Sequence, residues 1–370
     1  MATYPTKLAE IFSTKVMVIY YANAVSEDIT NQDYEGEVKD KASILNIMTF
    51  NKILSHTYSG ATMTVDDITE SSGQLTTDQA KDFYFRIKSY DKFRSYIKNP
   101  EGTILSQVAL ELKKVIDTYV LGFYTKAGAG NRIGTDYNTG TVSVADTTGV
   151  VTGAGTTFTA DMVGKGFNCI GQGTLAAPTW YRVKTYSSAT SIIIEDDLDD
   201  TTSAYTGGAI GGGAAYIVQA NTAVQMTSST IFDQLNQLNV LLTKREIPAE
   251  DRWCVVPPEV AALIKLNANF NPSGVPEAYG RFVTPPNGSI GGSLAGFKIY
   301  ESPRVLGDST NGWHIMAGHK SAITFALGLT ETGMEDLIGN FGKAYKSLYV
   351  YGAKVVDERR KALCELFGKL

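Results

Sequence analysis

Three histidines, His56, His314 and His319, are the whole supply of imidazoles for metal ligation or for base catalysis near neutral pH. His314 and His319 stand five apart, which does not stack two rings on one helical face as a spacing of four does. The three cysteines, Cys169, Cys254 and Cys364, lie far apart and offer no paired thiolates. No zinc site is expected from this set. The odd, sparse cysteine count predicts free thiols and a reducing compartment rather than a disulfide framework.

Two glycine runs approach known site geometries and miss them. Gly128-Ala129-Gly130-Asn131-Arg132-Ile133-Gly134 is near a dinucleotide loop, but its third glycine falls one place late and the run follows a helix. Cradling a phosphate needs strand, turn, then helix. Gly291-Gly292-Ser293-Leu294-Ala295-Gly296 is near a nucleophile elbow, with the final glycine displaced and no long strand leading in. A turn is predicted at each. The acidic run Glu195-Asp196-Asp197-Leu198-Asp199-Asp200 lacks the glycine and closing glutamate of a calcium loop, so a solvated acidic turn is predicted. In Asp357-Glu358-Arg359-Arg360-Lys361 neighbouring acids cancel much of the positive field, which leaves a solvated or subunit-contacting segment. The 20 tyrosines have no basic stripe among them and read as packing and interface residues. No catalytic residues, no cofactor and no metal ligands are assigned. The expectation is a structural or binding protein, not an enzyme.

The charge balance agrees. Against 33 basic residues stand 38 acidic ones, a net charge of −5, so no summed field draws the chain onto phosphate backbones. No apolar stretch of about eighteen residues could form a membrane-spanning helix. Lys7, Glu10 and Lys15 interrupt the apolar block that a secretory signal would need. A soluble, cytosolic chain is expected.

The elements that position these residues change character along the chain. Residues 1–34 show no clean period and read as an arm with one short strand at Val16–Tyr21. Strands are predicted at Ser43–Ile47, Ala61–Val65 and Lys81–Lys88, the last with Phe83, Phe85 and Ile87 on one face. A long helix follows over Thr103–Lys126, its apolar stripe made of Leu105, Val108, Leu112, Val115 and Tyr119. Residues 128–213 are rich in glycine, threonine and serine, with strand-like runs at Thr141–Val144, Trp180–Lys184 and Ser191–Ile194; a small all-β module is predicted. Helical periodicity returns at Ile231–Leu242, followed by a buried strand Arg252–Val256 and a helix Glu259–Leu266 started by Pro258. Further strands are expected at Phe297–Tyr300, Ser321–Ala326, Ser347–Val356 and Lys361–Phe367. The class is α+β.

Four stretches then resemble, in order, the major capsid proteins of tailed bacteriophages. They are Leu238–Leu242 running into Ile247-Pro248-Ala249-Glu250-Asp251-Arg252-Trp253-Cys254-Val255-Val256-Pro257-Pro258-Glu259-Val260; Ala295–Pro303; Gly318–Ala326; and Tyr351–Val356. The resemblance implies a Hong Kong 97-like capsid fold: an N-terminal arm, an extended β-hairpin loop, a peripheral domain with a long spine helix, and an axial domain. The corresponding divisions are 1–34 for the arm, 35–82 for the hairpin loop, 83–127 for the peripheral domain with its spine helix, 128–134 and 217–328 for the axial domain, and 329–370 for the C-terminal peripheral strands. The β module, 135–216, departs from the simplest pattern and is similar to the insertion domains that some capsid proteins carry.

The family also implies self-assembly into hexamers and pentamers of an icosahedral shell around double-stranded DNA, without sequence-specific binding. Scaffolding protein, portal and neighbouring capsid proteins are the implied partners, and the virion, made in the bacterial cytoplasm, is the implied location. Arm and hairpin cannot bury their apolar sides alone, so Val18, Ile19, Tyr20, Ile44, Ile47 and Met48 are the candidate intersubunit contacts. Two other readings remain at this point: an encapsulin-like nanocompartment shell, and a surface adhesin whose β module binds glycans through Trp180 and Tyr181.

Overall fold

The computed structural model describes residues 24–33, 44–50, 55–57, 67–68, 70–88, 100–169, 173–174, 177–197, 204–266, 289–337 and 341–370. Four α-helices occur among them: α1 (Ser26–Ile29), α2 (Pro100–Leu121), α3 (Ile231–Lys244) and α4 (Pro258–Leu266). The expected strands at Val16–Tyr21 and Ala61–Val65 lie outside the described residues.

A mixed central sheet runs in the order Val224–Gln225, Leu363–Lys369, Gly312–His319, Arg252–Val256, Phe297–Glu301, Ser289–Leu294. Arg252–Val256 is buried at every position, as an inner strand covered on both faces must be. Its neighbours are parallel Phe297–Glu301 and antiparallel Gly312–His319. Arg252 itself is buried: its guanidinium donates to the Pro248 carbonyl (2.7 Å), to Thr243 Oγ1 (3.0 Å), to Asn239 Oδ1 and to the Ile247 carbonyl. That web ties the end of α3 to the sheet and explains why an arginine opens an otherwise apolar strand. The last strand, Leu363–Lys369, pairs with Gly312–His319 in the central sheet rather than with the three-stranded sheet.

A second, three-stranded antiparallel sheet joins Thr324–Asp336, Gly342–Lys354 and Gln79–Lys88. Phe83, Phe85 and Ile87 are half-buried while Tyr84 and Arg86 are exposed, the alternation the pattern predicts. The strand expected at Ser321–Ala326 begins only at Thr324, because Ser321 is held in a turn by His319 Nδ1 (2.8 Å from its Oγ). A separate hairpin pairs Ile44–Phe50 with Glu70–Thr76.

Helix α2 packs between the two sheets. Pro100 starts it, where a missing N–H costs nothing. It continues past Leu121 as a 3-10 stretch, Gly122–Lys126. Leu112, Ile116, Asp117, Val120 and Leu121 are buried, while Val115 and Tyr119 are half-buried flanks. The buried face is therefore rotated from the expected stripe towards Ile116 and Val120. The reason is that the helix has neighbours on two sides: Tyr119 meets Tyr351 of the three-stranded sheet edge-to-face at 5.4 Å, and the opposite flank joins the main core.

Eight strands between 135 and 222 form an antiparallel sheet in the order Ile210–Ala214, Thr141–Val144, Val150–Ala154, Ser191–Asp196, Tyr181–Ser188, Gly166–Cys169, Tyr216–Thr222, Thr135–Tyr137. It has a core of its own, including Val142, Val151, Phe158, Phe167, Ile192, Ile194, Tyr216 and Val218. Tyr216, the boundary expected from the glycine pattern, is instead the start of an inner strand that runs on to Thr222.

Candidate functional site

The residues with chemical potential turn out to be internal ties. The three cysteines are buried, and burial pushes the thiols up, to about 11 for Cys169 and about 12 for Cys364. Such thiols are poor nucleophiles. His314 Nδ1 lies 2.6 Å from Glu365 Oε1, and its ring is stacked between Tyr124 (4.0 Å) and Phe367 (4.4 Å). Glu365 is buried and also receives Arg132 Nη1 at 2.6 Å. Burial alone would raise its carboxyl, but the Arg132 guanidinium, then His314 and Lys165, hold it below the usual carboxylate range. With both ring faces covered, His314 joins Arg132 and Glu365 in clamping Leu363–Lys369 to the segment after α2. Among the described residues no group of histidines, cysteines and carboxylates could hold a metal ion. No helix among them is long and apolar enough to cross a membrane.

The glycine run 128–134 is already occupied by the protein's own acceptors. Ala129 N–H donates to Asp197 Oδ2 (2.5 Å) and Gly130 N–H to Gln219 Oε1 (2.8 Å). Gln219 Nε2 returns a bond to the Arg132 carbonyl at 2.7 Å. The Asp197 carboxylate and the Gln219 amide thus stand where a bound anion would be, and they come from the eight-stranded unit. Gly130 has φ +86°, and a Cβ there would lie 2.6 Å from the Trp180 ring.

The acidic run is corrected with it. Glu195 is buried against Arg182 (2.6 Å) and Lys184 (3.2 Å). Asp197 pairs with buried Arg360 at 3.0 Å. Neither Glu195–Asp197 nor Arg360 belongs to a merely solvated turn, and residues 198–200 lie outside the described ones. Of the two residues of the glycan reading, Trp180 packs on Gly130 and is half-buried, and Tyr181 is buried with its ring 4.9 Å from Tyr205.

Among the exposed large apolar side chains, Tyr84, Met334 and Phe341 lie on or beside the three-stranded sheet, while Ile68, Val163, Tyr186, Val240, Leu306 and Leu370 are exposed elsewhere. Phe341, at the turn end of the long hairpin, is 91% exposed; Met334 is 57% and Tyr84 62% exposed. A groove on the face that carries Met334 is lined by Phe83, Phe85, Val108, Met334, Tyr345 and Tyr349, whereas Tyr84 lies on the opposite face. An exposed apolar groove is a candidate surface for a second protein. This sheet end is the candidate assembly surface.

Of the six expected contacts, Val18, Ile19 and Tyr20 lie outside the described residues. Ile44 and Met48 are placed in the strand Ile44–Phe50, with side chains outside the description. Ile47 is a correction: it is 2% exposed, packed inside the subunit on Leu75, Ala326 and Val356. The hairpin returns onto the start of the strand Thr324–Asp336, and this long-range contact has no sequence signal. The arm reading is also corrected at its root. Val25 and Ile29 are fully buried, and Asn31 is hydrogen-bonded to Ile323 and Phe325 beside the three-stranded sheet.

Sequence reasoning missed Asp117, Arg132, Gln219, Ser302, Arg304 and Glu365, all polar residues inside the fold. One signal existed: an aspartate directly after Val115-Ile116, within the apolar face of a helix.

Residues 181–364 match the family model described as phage capsid protein, a span that begins within the eight-stranded unit and ends in the last strand. The fold as a whole is similar to three solved phage structures. For that of Mycobacterium phage Che8 the identity is 16%, coverage is 98% of each chain, and the TM-score is 0.56. For the capsid of cyanophage P-SCSP1u the identity is 12%, with 98% of this chain and 93% of that chain covered, at TM-score 0.55. For the capsid of Ralstonia phage GP4 the identity is 10%, with 100% and 99% covered, at TM-score 0.54. At such identities the likeness is one of fold. No curated protein sequence matches the chain.

Proposed function

We propose that this chain, whose residues 181–364 match the phage capsid protein family, is a major capsid protein, the repeating subunit of a tailed bacteriophage's icosahedral shell. Copies associate as hexamers and pentamers and enclose double-stranded DNA. The family match over residues 181–364 carries this reading. The internal use of the polar clusters and the apolar sheet end support it, because a wall needs cohesive subunits and surfaces for neighbours rather than a reactive pocket. Its role is structural, without catalysis.

Within that reading the architecture is Hong Kong 97-like. Helix α2 is the spine helix, the hairpin Ile44–Phe50/Glu70–Thr76 belongs to the extended loop, and the three-stranded sheet to the peripheral domain. The central sheet is the axial domain, including Leu363–Lys369, and residues 135–222 are an inserted β domain. Val18, Ile19, Tyr20, Ile44 and Met48 remain proposed contacts with neighbouring copies. Scaffolding protein and portal are the further partners, and subunits are made in the bacterial cytoplasm before entering the virion. The net charge of −5 supports DNA held by confinement rather than by specific contact.

The test is expression of the chain alone and with a scaffolding partner, followed by negative-stain electron microscopy. Closed shells tens of nanometres across are expected. Small monodisperse oligomers under both conditions would overturn the proposal.

A further inference from the structure

Among the described side chains of α2, Asp117 is the one acidic residue on the buried face, and it is completely buried. A lone carboxylate there would be costly, so its partners define its purpose. One oxygen, Oδ1, accepts from the backbone N–H groups of Val25 (2.9 Å) and Ser26 (2.8 Å), the entry of α1. The other, Oδ2, receives Arg304 Nη1 at 3.0 Å and Ser302 Oγ at 3.4 Å. The side chain of Arg304 is 10% exposed, and its backbone N–H is tied to Ser302 Oγ (3.3 Å). A single carboxylate therefore joins three stretches: α2, the root of the N-terminal segment, and the turn that follows the strand Phe297–Glu301.

The root is held again a few residues later. Thr30 Oγ1 donates to the Ser26 carbonyl (2.8 Å), Asn31 N–H to the Ile323 carbonyl (2.8 Å), and Phe325 N–H to the Asn31 carbonyl (2.9 Å). Residues 25–31 thus cross from α2 to the rim of the three-stranded sheet on a fixed path. Val25, Ile29 and Thr30 are fully buried along it. A helix of four residues has too few bonds of its own to hold such a path. The external carboxylate supplies what the helix lacks.

We propose that Asp117 is a positioning residue: its charge, fixed by Arg304, pins the root of the N-terminal segment to α2, and correct association of copies depends on that pin. The association part rests on the capsid reading, whereas the pin does not. Hydrogen exchange on the wild-type chain should show the Val25 and Ser26 amides protected as strongly as those of Arg252–Val256. Exchange at the rate of an open loop would overturn the proposal. In Asp117→Asn, protection over residues 25–31 should fall about tenfold or more, the equivalent of losing one charged hydrogen bond, with Arg252–Val256 unchanged. Closed shells should give way to small oligomers or irregular particles.

Where Asp117→Asn is insoluble, Arg304→Met removes the same charge from the other side, and Arg304→Lys should restore protection and shells in part. Undiminished protection in both charge-removing variants, or lost protection with normal shells, would overturn the proposal. Should the wild type form no shells, the capsid reading fails and the exchange data alone decide the pin.

Discussion

Replacing Glu365 by Gln removes one charge from a place with almost no water. The side chains of Glu365 and Arg132 are 3% and 6% exposed, and their contact is 2.6 Å. The neutral amide keeps the shape but leaves the Arg132 guanidinium buried without its counter-charge, a loss of about 3–5 kcal/mol for pairs of this kind. Arg132 retains the Thr125 and Ala127 carbonyls (2.8 and 3.1 Å), and the low end, about 3 kcal/mol, is therefore expected. For 370 residues melting as one unit, that lowers Tm by about 4 °C.

The effect also has a pH signature. The Glu365 carboxyl lies below its ordinary value in the folded chain, so its contribution is complete above the unfolded value of about 4.3 and is lost as pH falls through the folded one. Differential scanning calorimetry of both proteins from neutral pH downward should show a constant gap to about pH 5 that narrows below it. The matched apolar replacement, Arg132→Met with Glu365→Leu, should recover part of the loss. A Glu365→Gln protein melting within about 1 °C of wild type at neutral pH would refute the reasoning, because a buried guanidinium cannot lose its counter-ion without cost.

Three other outcomes follow from packing. Ile47→Asp places an unpaired carboxylate among Leu75, Ala326 and Val356, at a cost of several kcal/mol, so aggregation and loss of native circular dichroism are expected rather than a well-folded subunit that fails to assemble. Leu112→Ala, on the buried face of α2, should cost about 2–5 kcal/mol in chemical denaturation, and an unchanged midpoint would mean that face is not packed. Replacing residues 135–222 by a short Gly/Ser linker should leave a soluble body, whereas cutting at 216 strands Tyr216–Thr222 without Gly166–Cys169 and Thr135–Tyr137 and should give insoluble protein. Equal solubility of the two deletions would show that this strand does not belong to the unit.

Local sequence decided the elements whose causes are local. The run Arg252–Val256, closed by two prolines, could only be a short buried strand followed by a helix, and both are present. The alternation around Phe83 and Phe85 and the leucine face of α3 likewise contain their own instructions, because periodicity is a property of neighbours in the chain. Tertiary structure decided everything that depends on what comes from far away. The place of Asp117 within an apolar helix face is visible in the sequence, but its purpose is not until Val25, Ser26, Ser302 and Arg304 arrive around it. Asp197 reads as part of a solvated acidic run until Ala129 and Arg360 meet it. Ile47 reads as a surface contact until the hairpin folds onto Ala326 and Val356. A hydrophobic pattern records which side chains avoid water, but a buried charge is specified only by its partner, and these partners lie scores of residues away along the chain.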